Sequence, residues 1–434
     1  MPHQRLGLAY LDENSGGPLL MEMRLGKTLT AIRYIKYRLR FPCLIVSPYS
    51  VMYEWASQLS EDGESHYVVL DGGRQQRLSL LNETKRWYIS NYESAKKLAL
   101  HTAKEWKSVI LDESIRIANP KAKITLYMLN NFKQVPAKMI LCGNPCPENE
   151  LQLVTQFIFT QGNFMGFRNY WGFRAKNYTN VGYDWIPKGN LKQSIRDYVK
   201  KHAFILSRKD AGMGSKKIYE TRTVKMNEEQ LKQIDSIKYD FEYGDKEVKN
   251  ALGQLISYSY IAGGLSCEDE HKVINDAKMK ELYSLIKGEL NTHKIIVWCR
   301  FRAEQDAISD FLMSKNELYI KINGDVSPEN RKRLKTNWQS SSFINIALLT
   351  IKSCSKGLDW SAADTAIYYS NEFSNDERSQ SEDRIIDVRK NVPLLYVDLV
   401  SENSVDLEVL KALKSKSFDS AMVMNDYMKR LGVK

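Results

Sequence analysis

The stretch MEMRLGKT, residues 21–28, decides the fold that the rest of the chain has to form. It ends in Gly-Lys-Thr, the tripeptide that closes phosphate-binding loops, but Met21 stands where the usual G-x-x-x-x-G-K-[ST] pattern has its first glycine. The residues that follow, LTAIRYIKYRL (29–39), have helical apolar spacing, which predicts that the loop opens a helix. Free backbone N–H groups and the helix dipole at such an N-terminus favour binding of a phosphate.

The residues of this loop have the chemistry that an ATP–Mg²⁺ site requires. Gly26 would let the backbone approach a phosphate closely, Lys27 would bring a positive charge to the terminal phosphates, and Thr28 would offer a hydroxyl ligand to Mg²⁺. Arg24 and Leu25 complete the predicted ATP-binding loop. The alternative is an ordinary loop before a surface helix.

A second motif, SVILDESIR (108–116), ends a predicted buried strand in Asp112 and Glu113. Acids at the carboxyl end of a strand lie at the crevice where open α/β sheets bind ligands. There Asp112 would hold Mg²⁺, and Glu113 would orient and deprotonate an attacking water. The alternative for an isolated Asp-Glu pair is a solvated turn, but a Gly-Lys-Thr loop about 85 residues upstream favours the nucleotide site.

Composition restricts the class of protein. The chain has 434 residues and is 43% apolar, as expected of a globular protein with two domains or a few. No apolar run approaches the roughly 20 residues that span a bilayer, and the N-terminus lacks the apolar stretch of a signal peptide. Six scattered cysteines predict reduced thiols rather than a metal site, and a net charge of +11 favours a polyanionic partner such as nucleic acid.

Short β-rich runs alternate with longer helical stretches, which predicts an α/β fold of two parallel-sheet domains in tandem. The predicted strands are 43–47, 67–70, 87–90, 108–112 and 138–143 in the first half, and 294–299, 319–323, 344–350, 365–370 and 395–400 in the second. We expect the first domain at 1–206, with an aromatic and helical elaboration at about 150–200, a linker and helical insertion at 207–290 near the junction, and the second domain at 291–434.

Taken in order, the motifs resemble those of superfamily-two helicases of the Swi/Snf-like branch, which are DNA-dependent ATPases and translocases. MEMRLGKT is similar to the family's Asp-Glu-Met-Gly-Leu-Gly-Lys-Thr, which also lacks the first glycine. The other matching segments are PHQRLGLAYL (2–11), LIVSPYSVMYEWASQL (44–59), DESIRIANPKAK (112–123), LCGNPCPENELQLVTQF (141–157), AFILSRKD (203–210), KIIVWCRFRAEQDAI (294–308), INGDVSPENRKRLKTNW (322–338), LLTIKSCSKGLDWSAADTAIYYSNEFS (348–374) and QSEDRIIDVRK (380–390).

The resemblance implies two RecA-like domains that act on one ATP, with ATP and Mg²⁺ as cofactors. Gln4 would read the adenine, and Gly143, Asn144 and Gln380 would couple hydrolysis to domain movement. Further ATP contacts are implied for Gly357, Asp359 and Arg384.

Several positions depart from the family pattern. His3 replaces an aromatic residue, Arg24 replaces a glycine, and Ile115 replaces a histidine. Asp387 stands where the family has a second arginine, so the candidate arginine fingers are Arg384 first and Arg389 second.

Loops on the side away from the nucleotide are implied to contact the DNA backbone without reading bases. The candidate nucleic-acid-binding residues are Ser47, Tyr49, Asn91, Tyr92, Arg302, Asn323, Thr350 and Lys352. The segment FRNYWGFRAKNY (167–178) interleaves aromatic rings with Arg and Lys, which is typical either of a base-stacking platform or wedge, or of a small aromatic core.

The leading hypothesis is an ATP-dependent DNA helicase or translocase of a compact phage or bacterial type, which remodels or unwinds forked or branched DNA in replication, recombination or repair. We expect a monomer, without membrane contact, in the cytoplasm of a bacterium or of an infected host cell. One alternative is an RNA helicase of the same architecture, against which the missing Asp-Glu-Ala-Asp box argues. The other is a degenerate helicase fold that binds nucleic acid without hydrolysing ATP.

Overall fold

The computed structural model describes residues 1–146, 149–182, 184–213, 215–243, 251–269, 271–354, 359–387 and 392–415, together with residues 423, 426, 427 and 430. The chain forms two compact units, Met1–Met213 and Gly214–Lys434. No helix in these ranges is long and apolar enough to span a membrane.

The first unit is built from a parallel sheet, its connecting helices and a separate hairpin. Its strands are β1 (Gly17–Met21), β2 (Cys43–Ser47), β3 (Tyr67–Val69), β4 (Trp87–Asn91), β5 (Ser108–Asp112), β6 (Ala137–Leu141), β7 (Tyr178–Val181), β8 (Asp184–Pro187) and β9 (Phe204–Leu206). Its helices are α1 (Pro2–Glu13), α2 (Lys27–Arg38), α3 (Met52–Glu61), α4 (Arg74–Asn82), α5 (Tyr92–Lys97), α6 (Leu100–Ala103), α7 (Lys123–Asn131), α8 (Gln152–Gln161), α9 (Tyr170–Asn177) and α10 (Leu191–His202).

The sheet of the first unit has the strand order β3-β4-β2-β5-β6-β1-β9, and every pair in it is parallel. Its strands are continuous apolar runs because helices cover both faces. In β2, Ile45 packs into one core while Leu44 and Val46 pack into the other. Because the strands are parallel, the loops that follow β1, β2, β4 and β5 leave the sheet at one edge, where the candidate site lies.

The second unit repeats this plan. Its strands are β10 (Lys217–Val224), β11 (Ile295–Cys299), β12 (Tyr319–Ile322), β13 (Ile346–Thr350), β14 (Thr365–Tyr368) and β15 (Leu394–Ser401), in the parallel order β10-β15-β14-β11-β13-β12. Its helices are α11 (Glu228–Tyr243), α12 (Ala251–Ala262), α13 (Ala277–Lys287), α14 (Arg302–Ser314), α15 (Pro328–Ser340), α16 (Ile351–Cys354), α17 (Asn375–Asp383) and α18 (Val405–Lys414).

Two parallel-sheet units with helices confirm the predicted tandem RecA-like fold, and all ten predicted strands are present. The interval 207–290, which we assigned to a linker and helical insertion, also contains β10. This strand pairs along its whole length with β15, so the second unit begins near residue 214 rather than at 291. The sequence did not predict this strand because an edge strand tolerates charged, exposed residues. In KIYETRTV such residues are interspersed with apolar ones, and most of the strand is exposed or half-buried.

A buried carboxyl group lies in the core of the second unit. Glu304, on α14, is 1% exposed. One of its oxygens accepts hydrogen bonds from the Ser370 hydroxyl (2.5 Å) and the Phe301 N–H (3.2 Å), while Oε1 has no partner among the described residues. Burial raises the pKa of Glu304 to about 7, although the Ser370 hydrogen bond and the charge of Lys278 act against this and Asp406 acts with it.

We expect this group to make stability depend on pH. An acid whose pKa is higher in the folded chain binds its proton more tightly there than in the unfolded chain. Protonation of Glu304 therefore contributes fully to the free energy of unfolding below the ordinary pKa of 4.5, and this contribution is lost as the pH rises through about 7. The slope reaches about 1.4 kcal/mol per pH unit. Thermal melts between pH 5 and pH 8 should show Glu304→Gln with a flatter pH dependence of Tm than the wild type, whereas Glu105→Gln, at an exposed site, should follow the wild type. Parallel curves for Glu304→Gln and the wild type would contradict the assignment.

Candidate active site and nucleic-acid interface

The predicted phosphate loop connects β1 to α2 at the edge of the first sheet. Gly26 precedes the first residue of α2 and has a φ of +78°, a left-handed backbone that favours glycine. The Lys27 ammonium donates hydrogen bonds to the carbonyl oxygens of Met21 (2.6 Å) and Glu22 (3.1 Å). The lysine thus lies over the loop at the N-terminus of α2, where a bound phosphate would compete with these carbonyls for its charge.

The N-terminal helix α1 is attached to this loop. A Cβ on Gly26 would come within 2.1 Å of the Gln4 side-chain nitrogen, so the Gln4 amide packs directly against the glycine. His3, which replaces an aromatic residue, has its Nε2 3.1 Å from the carbonyl oxygen of the buried Leu25. The predicted adenine-reading residue and the predicted phosphate loop are therefore neighbours.

Asp112 ends β5, beside the phosphate loop. Its Oδ2 accepts a hydrogen bond from the Trp55 indole (2.8 Å) and its Oδ1 accepts one from the Glu113 N–H (3.0 Å). Burial raises the pKa of the Asp112 carboxyl group, while the Trp55 hydrogen bond and the positive charge of Lys27 lower it. A carboxylate in this setting is stabilised by a nearby cation.

The residues at this edge fit a magnesium ion. The Asp112 carboxylate and the Thr28 hydroxyl, the first residue after Lys27, are the oxygen ligands that Mg²⁺ prefers. The described residues contain no group of three or more His, Cys, Asp or Glu that could hold a metal. Such an ion would therefore complete its coordination with phosphate oxygens and water, as is usual for Mg²⁺ in nucleotide sites.

Glu113 and the coupling segment complete this edge. Glu113 has a φ of +51°, an unusual left-handed backbone for a residue other than glycine. Gly143 follows β6, and a Cβ on it would lie 3.4 Å from the Met23 side chain and 3.7 Å from the Met21 carbonyl oxygen, so this segment packs on the phosphate loop. Asn144, the next residue, is exposed.

The candidate residues of the second unit lie around α17. The Gln380 amide donates to Asp376 (2.7 Å), and Gln380 is largely buried. Arg384, at the C-terminal end of α17, is 8% exposed, and its carbonyl oxygen accepts from the Trp360 N–H (3.1 Å). Asp359 precedes that tryptophan. Two further candidates, Gly357 and Arg389, lie outside the described residues.

A pocket of about 390 Å³ opens at the carboxyl ends of β2 and β4, where the first set of nucleic-acid candidates was predicted. It is lined by Ser47, Pro48, Tyr49, Arg77, Asn91, Tyr92, Glu93, Ser94, Lys97 and Arg116. Ser47 and Tyr92 are buried, the Asn91 side chain caps α5 by accepting from the Ser94 N–H (2.8 Å), and Tyr49 is exposed. The four predicted residues are thus brought together at this edge, but three of them also have structural roles or are buried.

Tyr92 joins this pocket to the acidic end of β5. Its hydroxyl donates a 2.7 Å hydrogen bond to the Asp112 carbonyl oxygen. The hydroxyl is therefore used within the protein, and Tyr92 is better described as a positioning residue than as a phosphate contact.

The charge of the pocket was not anticipated from the sequence. Arg77, Lys97 and Arg116 line it against one carboxylate, Glu93. Arg77 donates to the Ser94 hydroxyl (2.5 Å), and its Nε has no partner in the described part of the chain. This excess of cations suits an anion such as a phosphate.

The second set of nucleic-acid candidates also converges at one edge, because they follow the parallel strands β11, β12 and β13. Arg302 pairs with Asp325 (2.8 Å) in an exposed ion pair, and the Asn323 side chain accepts from the Asp325 N–H (3.0 Å). Lys352 is exposed, while Thr350 is 5% exposed. An exposed ion pair contributes little to the stability of the fold, so a phosphate could replace Asp325 as the partner of Arg302.

Comparison with known families agrees with this geometry. Residues 3–239 match the model of the SNF2-related domain, and residues 277–388 match that of the helicase conserved C-terminal domain. The chain belongs to the SNF2-related family of superfamily-two helicases.

Individual relatives in this family are distant. The chain is 24% identical over 426 residues to a SWI/SNF-related matrix-associated actin-dependent regulator of chromatin subfamily A-like protein 1 of Drosophila melanogaster, covering 96% of this chain and 55% of the relative. It is 23% identical over 460 residues to an ISWI chromatin-remodeling complex ATPase of Saccharomyces cerevisiae, covering 96% and 40%. The chain spans about half the length of the curated relatives it matches. A solved Sulfolobus solfataricus SWI2/SNF2 ATPase core in complex with dsDNA gives a TM-score of 0.47 at 18% identity, covering 100% of this chain and 97% of that one.

Gln156 is a candidate functional residue that sequence reasoning missed. It is fully buried on α8, accepts a hydrogen bond from the Ser114 hydroxyl (2.6 Å), and donates to the carbonyl oxygens of Pro145 and Gln152 (both 2.7 Å). Ser114 follows Glu113, and Pro145 follows Asn144 in the coupling segment. In this member of the SNF2-related family, one amide therefore connects the acidic motif to the coupling segment, next to the Ile115 that replaces the family histidine.

Arg378 is a second such residue. Its guanidinium forms a bidentate pair with Asp398 (2.5 and 3.2 Å), bonds to Glu382 (2.9 Å) and lies 3.5 Å from the centre of the Tyr368 ring. These contacts fasten α17, and with it Gln380, to β14 and β15. The sequence showed Arg378 one helical turn before Glu382, but the main partner of Arg378 is Asp398, 20 residues away.

Arg24 departs from the SNF2 pattern at a position where the backbone favours glycine. Its φ is +72°, and a side chain in this region costs about 1 kcal/mol. We expect Arg24→Gly to raise the free energy of unfolding by up to about 1 kcal/mol relative to Arg24→Ala, which keeps the strain. Urea melts of the two variants measure this difference. Both lose the same charge, so equal stabilities would show that the backbone is not strained.

The Gln156 contacts predict a defect in turnover. Gln156→Leu leaves the Ser114 hydroxyl and the Pro145 carbonyl without their partner, at a cost of about 1–3 kcal/mol for each unsatisfied buried group. We expect a lower kcat for DNA-stimulated ATP hydrolysis with a nearly unchanged KM for ATP, because the phosphate loop is not altered. In a double-mutant cycle with Ser114→Ala, the effects on kcat should not add; additive effects would contradict a shared role.

Proposed function

We propose that this chain is an ATP-dependent DNA translocase that binds Mg²⁺–ATP at the phosphate loop of the first unit and moves along duplex DNA through contacts with backbone phosphates. The observation that carries the proposal is the hydrogen bond from Tyr92, which lines the cationic pocket, to Asp112, whose carboxylate is influenced by the charge of Lys27. A site for an anionic strand and a site for a nucleotide are thus connected by one contact. Membership of the SNF2-related family and the match to a chromatin-remodeling ATPase support the same reaction class.

The residues have distinct roles in this proposal. Lys27 binds the terminal phosphates, while Thr28 and Asp112 hold Mg²⁺, which neutralises phosphate charge when bound. Glu113 accepts the proton of the attacking water, and Arg384 is the contribution of the second unit to phosphate charge stabilisation. Gly143 packs on the phosphate loop, and in this proposal Gly143 and the adjacent Asn144 respond to the nucleotide.

The substrate we propose in the cell is forked or branched DNA, including branch-migrating junctions, in replication, recombination or repair. We also propose that it is a compact enzyme of phage or bacterial type that acts as a cytoplasmic monomer. Comparison of ATPase stimulation by RNA, single-stranded DNA, duplex DNA, forks and four-way junctions tests the substrate class. Greater stimulation by RNA would reject DNA as the substrate.

The reaction is tested at the nucleotide site. We expect Lys27→Ala and Glu113→Gln to abolish DNA-stimulated ATPase activity, because they remove the phosphate charge and the base, while DNA binding survives. Arg384→Ala should reduce turnover by about 10³-fold or more if it acts as an arginine finger. Colorimetric phosphate release and DNA anisotropy measure the two properties, and retained turnover in both first-unit variants would reject the site.

The cationic pocket predicts the salt dependence of DNA binding. Each phosphate contact releases a counterion, so affinity should fall steeply with salt, and Arg116→Ala should lower the slope of log Kd against log salt by about 1. Arg33→Ala is a matched control, since Arg33 lies on α2 and pairs with Asp62. If Arg116→Ala and Arg33→Ala have the same slope, the pocket is not a phosphate site.

A further inference from the structure

We propose that the surface formed by α9 and the β7–β8 hairpin, residues 168–188, is a second nucleic-acid site, which binds unpaired bases of DNA. We name it the basic aromatic surface. It shares no residue with the pocket at the ends of β2 and β4. The inference rests on the proposed function, which supplies DNA as the partner, and it assigns to this surface the recognition of a fork.

The inner rings of this region form a small core that fixes α9. Phe164 and Phe173 are fully buried, with ring centres 5.1 Å apart at 74°, an edge-to-face arrangement. Phe173 also packs edge-to-face against Phe167 at 5.5 Å. The small-core interpretation of the aromatic segment therefore holds for these residues, and the outer rings are held on a rigid support.

The outer rings carry a planar cation. Trp171 is 42% exposed on α9. The Arg174 guanidinium lies 4.8 Å from the centre of the Trp171 ring and 3.9 Å from that of Trp185, on β8. Among the side chains that the structure describes, Arg174 forms no ion pair with a carboxylate and interacts with the Tyr170 hydroxyl, so its charge can attract an external anion. Indole and guanidinium planes together offer the faces on which unpaired bases stack.

The hairpin adds two exposed apolar residues on one face. Thr179 pairs with Ile186 across the two strands and Val181 pairs with Asp184, so these four positions share that face. Ile186 is 51% exposed and Val181 is 55% exposed. A two-stranded ribbon with β-branched residues on its outer face suits contact with the flat surface of a base rather than with water.

Charge selects the class of partner. Residues 168–188 contain four Lys and Arg against one Asp, a net charge of +3. This excess of positive charge favours a polyanion as the binding partner over a protein surface with few acidic residues. Among polyanions, nucleic acid offers planar bases, but a continuous duplex keeps them stacked inside. A surface with both cations and exposed rings therefore fits the unpaired arm of a fork better than the duplex.

The test compares forked and blunt DNA of equal length. A 2-aminopurine base in the unpaired arm reports stacking by loss of fluorescence, and anisotropy gives Kd for both substrates. We expect Trp171→Ala to weaken fork binding by about 5- to 100-fold, the range for loss of one base–aromatic stack, with less than a twofold change on blunt duplex. Wild type, but not Trp171→Ala, should quench the 2-aminopurine signal, and Trp171→Phe should retain most of the fork preference.

The controls separate this effect from misfolding and from general charge. Tyr37→Ala removes another ring, which is 72% exposed on α2 with Arg38 5.4 Å from its centre, and should leave the ratio of fork to duplex affinity unchanged. Ile186→Asp changes an exposed position of the hairpin and should also lower this ratio. Trp171→Ala with an unchanged ratio, or with equal loss on both substrates, would overturn the proposal. Duplex-stimulated ATPase activity without any fork preference in the wild type would reject this surface while leaving the proposed ATP-dependent translocation along duplex DNA intact. Fork-specific quenching without DNA-stimulated hydrolysis would support this surface and reject the proposed translocation.

Discussion

The candidate site depends on a buried carboxylate, Asp112, at the carboxyl end of a central parallel strand. Removing a negative charge from water is costly unless hydrogen bonds and opposite charge replace the solvent. Here the Trp55 indole and the Glu113 backbone supply the hydrogen bonds, and Lys27 supplies the charge. The buried charge thus depends on groups from the phosphate loop, α3 and the acidic motif, which explains why these three elements lie together.

Hydrogen bonds connect the residues around the Asp112 carboxylate to the neighbouring loops. Tyr92 connects the Asp112 backbone to the cationic pocket, and Gln156 connects Ser114 to the segment after Asn144. Both links run between loops at one edge of a single sheet. The acidic motif is therefore joined to the cationic pocket and to the segment after Asn144 by one hydrogen-bonding side chain each.

The sequence predicted the two sheets and most strands, since runs such as CLIVS and SVILD are apolar throughout, as strands buried on both faces are. It did not show β1, because the Gly-Gly-Pro before and within it is typical of turns, nor β10, whose charges suit a sheet edge. The short strands β7, β8 and β9 were also not predicted. The resemblance to the Swi/Snf-like branch implied that Gln4 and Gly143 lie near the phosphate loop, and the structure places them there. Sequence analysis did not identify Gln156 and Arg378, because their partners are distant in sequence. Nothing in the neighbouring sequence distinguishes an amide or an arginine that supports a site from one at the surface.

Exposure was the least predictable property of the candidate residues. Ser47, Tyr92 and Thr350 have polar side chains at strand ends, where loops are expected to reach solvent, but they are buried. Polar groups near the ends of parallel strands can satisfy neighbouring backbone as readily as a ligand. Of the three cations that line the pocket, Arg77 lies on α4, which carried no motif, whereas Arg116 ends the motif SVILDESIR.

The left-handed backbone at Arg24 sets the amount that its side chain would have to contribute to offset the strain. A strain of about 1 kcal/mol corresponds to about a fivefold change in a binding constant. A guanidinium that strengthened the binding of an anion by this factor would therefore balance the cost of replacing the family's glycine.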